Sequence, residues 1–142
     1  MKKRMLLAGV LALSGCAINQ TVKPVQAFSH KEVCLIENPA VRAGFIEQYK
    51  RSLESKGYSV RRMPTTASIQ SCPVISTYTA TWRWDLATYM AYAEINVFVD
   101  GKPSGQAKYD SQSGGANMGK FIAAEKKIAE LVDQLFPGGA GS

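Results

Sequence analysis

Histidine is almost missing from this chain: His30 is the single one among 142 residues. Cysteine is scarce too, at three. The two cysteines beyond the N-terminal segment are too far apart for metal-ligand spacing, so neither a metal site nor a cofactor is expected. Ser113 lacks a histidine partner and a nucleophile-elbow pattern, which argues against acyl transfer. Acidic residues number 11 against 17 Lys and Arg, giving a net charge of +6. That surplus is too small, without an aromatic RNA-binding motif, to point to nucleic acid. The longest apolar run falls short of the roughly 20 residues that cross a bilayer as a helix.

That run is nevertheless informative. Lys2, Lys3 and Arg4 open the chain, Met5 to Leu13 form a short apolar core, and Leu13-Ser14-Gly15-Cys16 closes it. Basic start, greasy core and small residues before a cleavage point read as a secretory signal over residues 1–15. The tetrapeptide resembles the lipobox of bacterial lipoproteins, in which the cysteine thiol is lipidated and becomes the first residue. The resemblance implies attachment to the membrane through acyl chains on Cys16. Each buried methylene contributes about 0.8 kcal/mol and stable anchoring needs more than one chain, so a di- or triacylated Cys16 suffices alone. Ala17 follows, in place of the aspartate that retains many lipoproteins at the inner membrane. The periplasmic face of the outer membrane is therefore the expected location.

Without the signal, roughly 127 residues remain, a common single-domain length. The signal also takes three cations with it, so the charge falls to about +3. A composition of 46% hydrophobic and 20% charged residues is that of a globular domain. Residues 16–31, polar and interrupted by Pro24, read as lipidated cysteine and tether. Residues 32–137 read as one domain and 138–142 as a flexible tail. In the oxidising periplasm, Cys34 and Cys72 are expected to form a disulfide rather than stay as two buried thiols. The bond would close a loop of roughly 38 residues, worth about 3–4 kcal/mol.

Val33 to Glu37 reads as a buried strand, and Asn38-Pro39 as the N-cap and first turn of a helix. Val41, Phe45, Tyr49 and Leu53 carry its apolar stripe, and Gly57 stops it. Tyr58 to Arg62 is a second strand. Alternation from Val74 to Trp84 and from Tyr89 to Val99 predicts a hairpin turning near Leu86-Ala87. Its register would set Trp82 against Ala91, Ala80 against Ala93 and Tyr78 against Ile95, with Trp82, Trp84 and Tyr89 inside. Thr79, Thr81, Arg83, Met90, Tyr92, Glu94 and Asn96 would then point outward. A turn at Asp100-Gly101, a strand over Gln106 to Ser111 and a helix from about Asn117 to Leu135 complete the order β-α-β-β-β-β-α. This is an α+β two-layer sandwich, a mainly antiparallel sheet with two amphipathic helices on one face and the other face wet.

Gly114 to Lys120 matches the spacing of a phosphate-binding P-loop, but Phe121 stands where the magnesium-holding Ser or Thr belongs. A flexible connection with Asn117 as cap is expected there. Asp85 and Glu94, at different depths of the hairpin, do not face each other as glycosidase carboxyls must. The strings Val33 to Pro39, Trp82 to Leu86, Tyr89 to Ile95 and Tyr109-Asp110-Ser111 with Gly114-Gly115 resemble a small proteobacterial lipoprotein family of unassigned activity. The element order is also similar to that of outer-membrane assembly lipoproteins, including the plug of the lipopolysaccharide translocon. The expectation is a non-enzymatic, lipid-anchored module that binds another envelope protein, with Arg83, Tyr92 and Glu94 as the first contact patch. The alternative is a carrier or sensor for a glycan or lipid fragment held between sheet and glycine-rich loop.

Overall fold

The computed structural model describes residues 17–140; the signal segment, Cys16 and the last two residues lie outside them. Six strands form, β1 (Asn19–Lys23), β2 (Glu32–Ile36), β3 (Ser59–Met63), β4 (Val74–Asp85), β5 (Ala87–Val99) and β6 (Lys102–Asp110). Helix α1 spans Ala43–Ser55, α2 spans Ala124–Leu135, and one turn of 3-10 helix covers Met118–Phe121. The sheet order is β1-β6-β5-β4-β2-β3, with β2 parallel to both β3 and β4 and all other pairs antiparallel. This is the expected α+β class and order, with one strand added in front. Among the described residues, no helix is long and apolar enough to cross a membrane.

The added strand corrects the expected tether. β1 pairs with β6 from Asn19↔Asp110 to Lys23↔Gln106. Gln20 and Val22 turn towards the helices, and Gln20 bonds Glu130 and Gln134 of α2. Only one of the five residues is strongly apolar, so the period-2 signal is faint in the sequence. Beyond it, the Val25 N–H donates to Leu135 O at 2.9 Å and Phe28 stacks on Tyr58 at 5.7 Å. A Cβ on Gly105 would sit 2.6 Å from Val25 Cγ2, so glycine is required where this segment crosses β6. The expected loose tail is also docked at its start, since the Ala140 N–H donates to Lys56 O at 2.9 Å.

Both helix starts differ from expectation. Asn38 does not cap α1; the Arg42 N-cap position makes no side-chain capping bond. Asn38 instead receives the Ala40 N–H and pins β2 to β4, its Nδ2 donating to Tyr78 O and its N–H to Tyr78 Oη, both at 3.0 Å. At the other end, Gly57 at φ 93 closes α1 as expected. Its N–H reaches Glu54 O and that of Tyr58 reaches Leu53 O, the paired bonds of a glycine-terminated helix. Asn117 caps only the 3-10 turn, accepting from Gly119 N at 2.9 Å, before the chain extends at Ile122 and α2 begins.

The main core lies between sheet and helices. Phe45, Ile46, Tyr49 and Leu53 of α1 and Ile128, Leu131, Val132 and Leu135 of α2 meet Val33, Leu35, Tyr78, Ile95, Val97 and Tyr109. Full burial of each such apolar side chain is worth roughly 1.5–3 kcal/mol. One polar thread crosses it: Tyr49 Oη donates to Ser76 Oγ at 2.8 Å, and Ser76 Oγ donates to Asn96 O at 2.9 Å. Burial raises the Tyr49 phenol well above its ordinary value. The opposite face is not wholly wet, which corrects a second expectation. Residues 64–73 cross it, burying Cys34, Ile36, Cys72 and Ile75 in a second cluster with Ala67, Ile69 and Phe98.

The Cys34–Cys72 disulfide, with Cα atoms 6.4 Å apart, ties that loop to β2. Reducing it should remove roughly 3–4 kcal/mol of stability, the loop-closure value for this span. Urea unfolding with and without reductant measures it; coincident midpoints would contradict it.

Candidate functional site

The distal half of the β4–β5 hairpin is set by one surplus residue. Pairing runs Ala80↔Ala93 and Thr81↔Tyr92 but continues Trp82↔Met90, so Ala91 is the extra residue of a bulge. Ala80 and Tyr78 keep their expected partners, whereas Trp82 does not meet Ala91. A bulge exchanges the two faces of the strand beyond it. Met90, expected outside, is 2% exposed in the core. Tyr89 moves to the side of Arg83, its cross-strand partner. Trp82 is half-buried beneath the Arg42 guanidinium, 5.0 Å from its ring centroid. Trp84, expected inside, is 73% exposed.

Of the expected patch, Tyr92 and Glu94 are brought together and Arg83 is not. Tyr92 Oη donates to Glu94 Oε2 at 2.8 Å, and Glu94 Oε1 accepts from Asn96 Nδ2 and Gln106 Nε2. Gln106 Nε2 also reaches Asn96 Oδ1 at 2.6 Å. Arg83 donates to Gln112 Oε1 at 3.3 Å instead. Gln106, opposite Asn96 on β6, is the member absent from the expected patch; its sequence signal is alternation with the inward Ala107. Burial first, then the bond and negative charge of Glu94, then Asp110, push the Tyr92 phenol up to about 12. The group is a fixed polar surface of one carboxylate, one phenol and two amides, suited to hydrogen-bonded recognition.

The glycine-rich segment is held down rather than open. Lys120 is 4% exposed and turned inward, its Nζ 2.5 Å from Asp85 Oδ2 and 2.6 Å from Gly115 O. The ammonium also lies over the rings of Tyr89 and Phe121, at 5.1 and 5.2 Å. This lysine is engaged where a phosphate-binding one would be free. Leu86 makes the hairpin turn at φ 63, a left-handed conformation costing on the order of 1 kcal/mol for a residue with a side chain. Among the described residues, Glu32, Cys34 and Cys72 cluster as metal-ligating types. The two sulfurs are bonded to each other, which takes them out of metal-ligand chemistry.

Two outcomes follow from this geometry. Asp85→Ala strands a buried ammonium and should cost about 1–3 kcal/mol, whereas Lys120→Met leaves only a half-exposed carboxylate and should cost less. Chemical denaturation of both variants checks the order; equal losses would contradict it. A raised phenol pKa means the fold favours protonated Tyr92. Its contribution is complete below pH 10 and fades as pH rises through about 12. In an ultraviolet phenolate titration, Glu94→Gln should bring that late step to lower pH, and Tyr92→Phe should remove it.

No protein-family model and no curated protein matches the chain. Among solved structures it is similar to PelC from Paraburkholderia phytofirmans. A single-substitution variant of PelC, a dodecamer, superposes with a TM-score of 0.58 at 12% identity, covering 89% of this chain and 100% of the other. A second PelC dodecamer gives 0.56 at 17% identity, covering 84% and 98%. A minor lipoprotein from Acinetobacter baumannii reaches only 0.38 at 16% identity, covering 75% and 90%. At these identities the PelC likeness is one of fold.

Proposed function

We propose that this chain is a lipid-anchored envelope lipoprotein that acts by binding, not catalysis. Acyl chains on Cys16 would hold it on the periplasmic face of the outer membrane. The outward face of β5 and β6 would then engage another envelope protein. The observation that carries this reading is the Tyr92–Glu94–Asn96–Gln106 network, whose side chains are already fixed by one another on a strand face. Groups held in place lose little rotamer freedom on association, so a partner gains most of each new bond. The fold adds support, because PelC, which shares it over its whole length, is a dodecamer. A second copy of this chain is accordingly the first partner to test.

The test places a photo-crosslinking amino acid at Tyr92 in living cells and identifies adducts by mass spectrometry. A protein adduct that disappears in Glu94→Lys is the expected result, and a self-adduct would make the module a homo-oligomer. A lipid or glycan adduct would replace this reading with that of a carrier or sensor. Absence of any adduct would remove this face.

A further inference from the structure

Large exposed hydrophobic side chains of the described residues gather at one end of the sheet. Trp84, Leu86 and Met118 are 73%, 87% and 74% exposed. The first two form the tip of the β4–β5 hairpin, and Met118 opens the 3-10 turn packed against β5. An open groove of about 480 Å³ lies between Leu86 and Met118, lined by Ala87, Ala116 and Phe121 as well, with Trp84 outside it on the hairpin. Its one carboxylate, Asp85, is neutralised by Lys120. Single exposed hydrophobics need no explanation, but three gathered at one end of the sheet, two of them across a groove, mark a contact surface.

The chain itself says which surface. Ile18 sits at the same end of the sheet: a Cβ on Gly119 would lie 3.5 Å from Ile18 Cδ1, and one on Gly114 would lie 3.6 Å from Ile18 Cγ1. Met118 immediately precedes Gly119. Cys16 is two residues from Ile18, a span of at most roughly 7 Å. Any acyl chain on Cys16 therefore enters the bilayer beside this tip. The exposed guanidiniums of Arg42, stacked on Trp82, and Arg83, at the base of the tip, suit anionic headgroups. Tryptophan is itself favoured at the membrane–water interface.

We propose that the Trp84–Leu86–Met118 tip inserts into the bilayer interface next to the anchor, so that the domain stands on the membrane at two points. The proposal rests on lipidation of Cys16. Acyl chains alone would leave the domain free to swing; the tip fixes its orientation, with the strands upright and the Asp100-Gly101 turn farthest from lipid.

The test uses full-length mature protein, purified from membranes and placed in phosphatidylethanolamine–phosphatidylglycerol vesicles whose acyl chains are brominated and quench tryptophan. Trp84 emission should be quenched and blue-shifted, assigned by its loss in Trp84→Phe, while Trp82 is spared. Leu86→Asp combined with Met118→Asp should restore the emission while the protein still floats with the vesicles. Floated protein with unquenched, water-like Trp84 overturns the tip and leaves the anchor standing. Emission that is blue-shifted equally with and without bromine, as burial in a second copy would give, also overturns it. Protein that neither floats nor carries acyl mass overturns the anchor. The tip is then tested on the same chain coupled through Cys16 to a maleimide phospholipid, where quenching upholds it and its absence overturns it.

Discussion

A single extra residue in β5 governs how the hairpin end of this molecule is built. Without Ala91 as a bulge, alternation would keep Tyr89 in the helix-facing core and Met90 outside. With it, Met90 seals the core, and Tyr89 offers its ring to Lys120 and Phe121. The buried ammonium then has a seat, Asp85 has a counter-ion, and the glycine-rich connection between β6 and α2 has somewhere to lie. The end of the sheet is a built surface because of that slip in register. A bulge also strengthens local twist, which suits a strand that must leave the sheet to form a tip.

The two halves of the outer sheet face are treated oppositely. Over β2 and β4 the loop of residues 64–73 provides a second, smaller core, and the disulfide holds it there. Over β5, β6 and β1 the face is polar, and its side chains bond mainly to each other. A covalent staple is a reasonable device on a layer too thin to bury much apolar area. The thick layer with α1 and α2 needs none. On this face the second core and its staple thus lie over one half, and the polar side-chain network over the other.

Strong periodicity was legible and weak periodicity was not. Alternation along β4 and β5 as far as the bulge, the apolar stripe of α1, that of α2 from Ala124 onward and the stop at Gly57 are all local patterns, and they hold. β1 carries one strongly apolar residue in five and is a strand only because β6 supplies its hydrogen bonds. The bulge is invisible for a related reason: Met90 and Ala91 are both apolar, so either suits the interior and the pattern cannot say which is surplus. Asn38 and Asn117 each carried a cap signature, yet one serves β4 and the other a single turn. Tertiary partners outbid a local preference worth only about 1 kcal/mol. Of the candidate patch, the Tyr92–Glu94 pair was readable from spacing alone, two residues apart on one strand. Arg83 was not: it keeps the face of Thr81 and Tyr92, since the bulge lies in β5, but its guanidinium donates to Gln112 beyond β6, a partner that no spacing within the hairpin points to.

Incorporation of β1 into the sheet has a consequence for reach. A fifteen-residue extended leash would let an anchored domain sample tens of ångströms of periplasm. Here residues 19–23 are spent as a strand and Val25 is fastened to the end of α2, so the free leash is nearly gone. If the membrane is held at Cys16, no part of the protein travels much farther from it than the length of its longest strand, roughly 43 Å for thirteen residues. Such a protein cannot fish across the periplasm. Any partner of a domain so held would have to come to the membrane surface, or already reside there.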